Sequence, residues 1–88
     1  MSWAISYRSS VEKDIARLVQ QVRTHVLKRI VELADDPFPQ DCRKLKGAPN
    51  RYRLRVAVQY RVAYSIFPDD HLIKIEFVGH RKDAYRWF

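Results

Sequence analysis

Between residues 35 and 52 the hydrophobic period of this chain changes from that of a helix to that of a strand. No other feature constrains the fold as much. Upstream, Val11, Ile15, Leu18 and Val22 recur at steps of three or four. Val26, Ile30 and Leu33 continue the stripe, and Leu27, Val31 and Ala34 widen it. Downstream, the period is two. Tyr52 to Val56 reads Tyr, Arg, Leu, Arg, Val. Tyr60 to Phe67 sets Tyr60, Val62, Tyr64 and Ile66 against Arg61, Ala63 and Ser65, and Leu72 to Val78 places Ile73, Ile75 and Phe77 on one face.

The helical stretch runs from about residue 10 to 35, opening on Ser9 and Ser10 as N-cap candidates with Glu12 and Asp14 in the first turn. One helix of that length would overhang so small a chain, so two helices are expected, with a break near Gln20 to Thr24. Asp35-Asp36-Pro37-Phe38-Pro39 ends the helical part, and a loop containing Gly47 and Pro49 runs to about Asn50. Before the helices, Trp3, Ile5 and Tyr7 share a face of a short strand.

The strand connections Ala57-Val58-Gln59 and Pro68-Asp69-Asp70-His71 are short, which favours antiparallel hairpins; only the second has good turn chemistry. The segment from Arg81 to Phe88 suits either a last helical turn or a short extended end. The expected fold is therefore α+β in a single domain, residues 1–88. An N-terminal strand and two helices precede a three-stranded antiparallel meander, with the helices packed on one face of the sheet.

Charge narrows the function. The formal net charge is +7, and from Cys42 to Pro68 there is no acidic residue. That run holds Arg43, Lys44, Lys46, Arg51, Arg53, Arg55 and Arg61. Cations without counter-charges repel one another unless an anion arrives, which points to nucleic acid or an acidic protein as partner. No apolar run approaches a membrane span, and the start is not a secretory signal, so a cytoplasmic protein is expected. The lone Cys42 excludes an intramolecular disulfide.

The strand pattern gathers the charge. Arg53 and Arg55 point to one side of their strand, and Arg61 reaches them across the hairpin. Their apolar neighbours Leu54, Val56, Val62, Tyr64 and Ile66 suit the helix-covered face. Three planar guanidinium forks on the other face make a plausible clamp for a phosphodiester. Further on, Gly79-His80-Arg81-Lys82-Asp83-Ala84-Tyr85 sets an imidazole, cations and an aromatic ring close together. Cations that hold phosphate and a ring that stacks on an unpaired base suit RNA. No carboxylate cluster, Cys/His spacing or Gly-rich phosphate loop accompanies them, so no metal or cofactor is expected. Cleavage of RNA would then use its 2′-hydroxyl as internal nucleophile.

These segments resemble the RelE-type toxins of the RelE/ParE superfamily along essentially the whole chain. The marks are Lys44-Leu45-Lys46-Gly47, Tyr52-Arg53-Leu54-Arg55-Val56, Tyr60-Arg61-Val62-Ala63-Tyr64 and Val78-Gly79-His80-Arg81-Lys82-Asp83-Ala84-Tyr85, in that order. The resemblance implies a metal-independent mRNA endoribonuclease acting in the ribosomal A site, and an acidic RelB-like antitoxin that wraps it. It matches Arg53 and Arg55 to a substrate-contacting basic pair and Arg61 to the group that meets phosphorane charge. Arg81 matches the group near the leaving oxygen, and Tyr85 the base-stacking ring. Lys44 and Lys46 fall in the loop that in relatives often touches ribosomal RNA, and Arg51 and Lys82 are expected as further RNA or ribosome contacts.

The basic pair is lysine in the best-studied members. Arginine is always protonated and a poor base, which leaves His80 as the candidate acid or base. Two other functions compete: a ParE-like poison of DNA gyrase, and a non-catalytic basic module held by an acidic antitoxin. The joint presence of Arg53, Arg55, Arg61, Arg81 and Tyr85 favours the nuclease.

Overall fold

The computed structural model describes residues 2–87, with side chains for residues 2–84. Five strands form one sheet in the order β1-β5-β4-β3-β2. They are β1 (Ala4–Tyr7), β2 (Cys42–Lys44), β3 (Arg51–Val56), β4 (Tyr60–Phe67) and β5 (Leu72–His80). Helices α1 (Ser9–Ala16) and α2 (Gln20–Leu33) follow β1, and α3 (Arg81–Trp87) follows β5. The β3–β4–β5 meander is antiparallel, as the short connections require, while β1 lies parallel to β5.

The core is one layer between α1 and α2 and the sheet. Val11 and Ile15 of α1 and Val26, Ile30 and Leu33 of α2 pack on Leu54, Val56, Val62, Tyr64, Ile66, Ile73, Ile75 and Val78. Each large apolar side chain buried this way contributes roughly 1.5–3 kcal/mol. The even-numbered residues of β3 and β4 thus face the helices, as their alternation predicts.

Four details differ from the sequence reading. The helical break falls at residues 17–19 instead of near Gln20, with no Gly or Pro there. The Arg17 amide closes α1 onto the Lys13 and Asp14 carbonyls, and extended Val19 (φ −60°, ψ 151°) starts α2. The serines do not cap α1: Ser9 is already helical and Arg8 precedes it, with no side-chain cap bond. Cys42–Lys44, read as loop, is edge strand β2, pairing Arg43 with Arg53. Last, the β4–β5 register shifts between Ala63 and Tyr64, so that Ala63 pairs with Phe77 and Tyr64 with Ile75. The extra residue is Glu76, a β-bulge. It turns Val78 into the core and Phe77 to the opposite face, whereas alternation placed Phe77 beside Ile75. There the Phe77 ring lies across Gly79, where a Cβ would meet its Cζ at 2.9 Å.

The β3–β4 turn carries backbone strain. Ala57 (φ 47°) and Val58 (φ 62°) are both left-handed, and a β-branched side chain rarely adopts that conformation. This is how the three-residue connection closes without Gly or Asn.

Fully buried Tyr64 ties the sheet to the 35–41 loop. Its hydroxyl donates to the Pro37 carbonyl at 2.8 Å, and burial pushes its phenol far above the usual range, so it stays a donor. Tyr64→Phe is expected to lower stability by about 1–2 kcal/mol, because it leaves that carbonyl unpaired. A urea titration with an unshifted midpoint would contradict this role.

Candidate functional site

Register decides which cations meet. Arg55 pairs directly with Arg61 across β3–β4, and Arg43 with Arg53 across β2–β3. All four are odd-numbered and project from the face turned away from α1 and α2. Together with Asp41 they line a cleft of about 350 Å³. The predicted trio of Arg53, Arg55 and Arg61 is therefore brought together.

Like charges directly opposite one another across a strand pair are destabilising. Among the described residues lining the cleft, only Asp41 offsets them. Asp41 accepts two bonds from the Arg29 Nη2 of α2, at 2.8 and 3.1 Å. The Arg29 hydrogen bond holds its carboxyl below the usual carboxylate range against a smaller opposing effect of burial. Asp41 is thus an anion at neutral pH, committed to Arg29, which leaves the cleft strongly cationic. Planar guanidinium forks facing each other at one concavity suit a phosphate, which can accept from several at once.

The Arg61 guanidinium is held from behind. Its Nη1 donates to the carbonyls of Val58 and Tyr60, each at 2.9 Å. The strained turn therefore supplies the acceptor that orients Arg61. Gln59 in the same turn accepts the Arg81 amide at 2.8 Å. That bond fixes the start of α3 at the end of the sheet where Arg55 and Arg61 pair. The exposed Arg81 side chain is not among the residues lining the cleft.

Other predicted residues are dispersed. Arg51 lies on the arginine face, but Glu76, drawn in by the bulge, sits 3.6 Å from its Nη2 and also accepts from the Ser65 hydroxyl at 2.9 Å. Lys44 pairs with Tyr52 and so projects from the helix side of the sheet, while Lys46 is exposed in the turn after β2. Lys82 is exposed in the first turn of α3. Tyr85 belongs to α3, but its side chain lies outside the described residues.

His80 is not brought to the cleft. It pairs with Tyr60, whose ring it meets edge-on at 5.5 Å, and it lines a separate cleft of about 410 Å³ with Asp14, Arg17 and Asp83. The even-numbered side of β5 past the bulge is the core side, so its ring starts from the face opposite the arginines. Proton transfer by His80 inside the arginine cleft is not supported by this placement.

Sequence reasoning missed Arg43 and Asp41 as lining residues. Arg43 was visible only as a member of the acid-free run, because its strand is three residues long. No sequence signal marks Asp41. Among the described residues no group of three His, Cys, Asp or Glu could hold a metal ion, and no helix is long and apolar enough to cross a membrane.

A family model for the ParE toxin of type II toxin–antitoxin systems matches residues 5–85. The chain belongs to that family. RelE-type toxins are among the proteins it resembles. It is 29% identical to a candidate RelE1 toxin of Methanocaldococcus jannaschii, with 98% of each chain covered. A double mutant of the E. coli toxin RelE in the free state superposes with a TM-score of 0.83 at 22% identity, covering 99% of this chain and 92% of that one. That likeness speaks for the fold alone. The RelE of an archaeal RelE–RelB complex from Pyrococcus horikoshii superposes with a TM-score of 0.76 at 27% identity, covering 92% and 97%.

The Arg29–Asp41 pair is half exposed, so at neutral pH Asp41→Asn is expected to cost less than about 1 kcal/mol. Because folding lowers the Asp41 pKa, its contribution is present above the ordinary value of 3.8 and is lost as pH falls below it. Denaturation of both proteins at pH 7 and pH 3 should show the difference shrinking; a difference that grows in acid would reverse the sign.

Proposed function

We propose that this toxin is an endoribonuclease that cuts mRNA in the ribosomal A site. The single observation that carries the reading is the lining of one cleft by Arg43, Arg53, Arg55 and Arg61. A cleft of this charge recruits a polyanion, and guanidinium groups held before the substrate arrives can stabilise charge that grows during reaction.

In this reading the RNA 2′-hydroxyl attacks the adjacent phosphorus. A 2′-oxygen–phosphorus bond forms as the 2′ proton passes to water, the bond to the 5′-oxygen breaks, that oxygen leaves as a hydroxyl with a proton from water, and a 2′,3′-cyclic phosphate remains. Arg53 and Arg55 bind and polarise the phosphate; being permanently protonated, they are poor acceptors of the 2′ proton. Arg61 meets the charge of the phosphorane, in an orientation supported by its bonds to Val58 and Tyr60. Arg81 serves the leaving oxygen and Tyr85 stacks on a base. Lys44, Lys46, Arg51 and Lys82 make outer contacts to RNA and ribosome. We assign no proton transfer to His80.

An acidic antitoxin of the RelB kind is the inferred protein partner, and the cytoplasm the inferred compartment. Supporting the partner, structures similar to this chain include RelE–RelB complexes. The net charge of +7 favours an acidic protein.

Arg61→Ala and Arg81→Ala are each expected to slow single-turnover cleavage on the order of 100-fold while leaving the fold intact. Both variants cutting at the wild-type rate would remove the proposed site. The chain belongs to the ParE toxin family, so a gyrase poison is the second reading. Induction in cells separates the two: translation arrest with new transcript 5′ ends supports the nuclease, and DNA damage without them supports the poison.

A further inference from the structure

We propose that His80 is a positioning residue: its neutral imidazole caps α3 and so holds in place the helix that carries Arg81 and Tyr85. The Lys82 amide donates to His80 Nδ1 at 3.1 Å. Lys82 is the second residue of α3, so His80 stands at the N-cap position, where a side-chain acceptor ordinarily satisfies the amide of the second or third helical residue. His80 is also the last residue of β5, which gives it the extended backbone that a cap requires.

A helix start leaves four amides without partners inside the helix. Here the first, on Arg81, is taken by the Gln59 carbonyl, and the second by His80. These two bonds anchor α3 to the sheet from two sides, one through the strained turn that also holds Arg61.

An imidazole nitrogen that accepts a hydrogen bond carries no proton, so the bonded state is the neutral ring with its proton on Nε2. Protonation puts an N–H where the acceptor was, pointing at the Lys82 N–H. It also sets a positive charge at the positive end of the helix dipole. The described charged and aromatic residues that share its cleft come from three elements. Asp14 and Arg17 come from α1, Tyr60 from β4 and Asp83 from α3 itself, beside Arg81 and Lys82. Asp14 and Asp83 accommodate a charged ring, whereas Arg17, Arg81 and Lys82 oppose it. The carboxylates cannot restore an acceptor at Nδ1, so a ring protonated there cannot cap α3.

The effect on cleavage rests on the nuclease reading above; the effect on α3 does not. The test compares the full-length wild-type protein with His80→Ala and His80→Asn. Asparagine is a strong N-cap that cannot titrate. Amide hydrogen exchange, corrected for the intrinsic rate, is measured for α3 between pH 8 and pH 5.5. At pH 8, His80→Ala should raise local opening of α3 about fivefold, and His80→Asn should keep wild-type protection. On acidification the wild type should lose protection in α3 and His80→Asn should not.

In cleavage, His80→Asn should retain a wild-type kcat, while His80→Ala lowers kcat with little change in KM. Equal α3 protection in the wild type and His80→Ala would overturn the proposal. So would a His80→Asn protein with full α3 protection and no cleavage, because that outcome assigns proton transfer to the ring. A wild-type protein that cuts no RNA would defeat the nuclease reading, and the exchange data would still decide the cap.

Discussion

Two arginines set opposite each other across an antiparallel pair repel, and this sheet contains that arrangement twice, at Arg55–Arg61 and Arg43–Arg53. The other face explains why it holds. Leu54, Val56 and Val62 between them are almost completely buried under the helices. Each contributes roughly 1.5–3 kcal/mol, against a cross-strand interaction of at most about 1 kcal/mol per pair. The apolar face therefore sets the register, and the arginines accept the positions left to them. A slip of one residue would bury guanidinium groups in the core and expose the leucine and valines, so register is doubly specified. The cationic cleft is a by-product of core packing with chemical consequences.

The same logic explains what could be read in the sequence. Period two over residues 52–67 and period 3.6 over residues 11–33 each require one buried face, so element type, order and facing were legible. The helical break was misplaced because nothing chemical marks it; Leu18 and Val22 both pack on the core, and the chain bends at Arg17–Val19 to lay both helices on one sheet. β2 was invisible because three residues, Cys-Arg-Lys, show no alternation. It exists because the outer edge of β3 offers ladder bonds.

The bulge was hidden for another reason. Phe77 and Val78 are adjacent and both apolar, so the pattern cannot say which enters the core. Val78 does, and Gly79 gives the displaced Phe77 ring a floor. The arginine trio was legible because it depends only on alternation and one hairpin. Arg43 and Asp41 were not, since they depend on the pairing of an unrecognised edge strand and on a contact with α2. The bulge exchanges the two faces of β5 beyond Ile75 and so puts His80 on the core side. Nearness in sequence to Arg81 did not translate into a shared cleft.

The parallel pairing of β1 with β5 joins the first strand of the chain to the last: Ala4 sits beside Leu72, and the Trp3 amide donates to the Ala34 carbonyl. A contact so distant in sequence carries a large loop-closure cost and belongs to the slow part of assembly. During synthesis β1 precedes β5 and has no sheet partner until β5 arrives to receive it. The hairpin that presents Arg53, Arg55 and Arg61 needs only local pairing, but the layer that holds it rigid closes with the final strand. A chain shortened before Leu72 would display its cations on an unsupported hairpin and lack the stiff surface that the complete sheet provides.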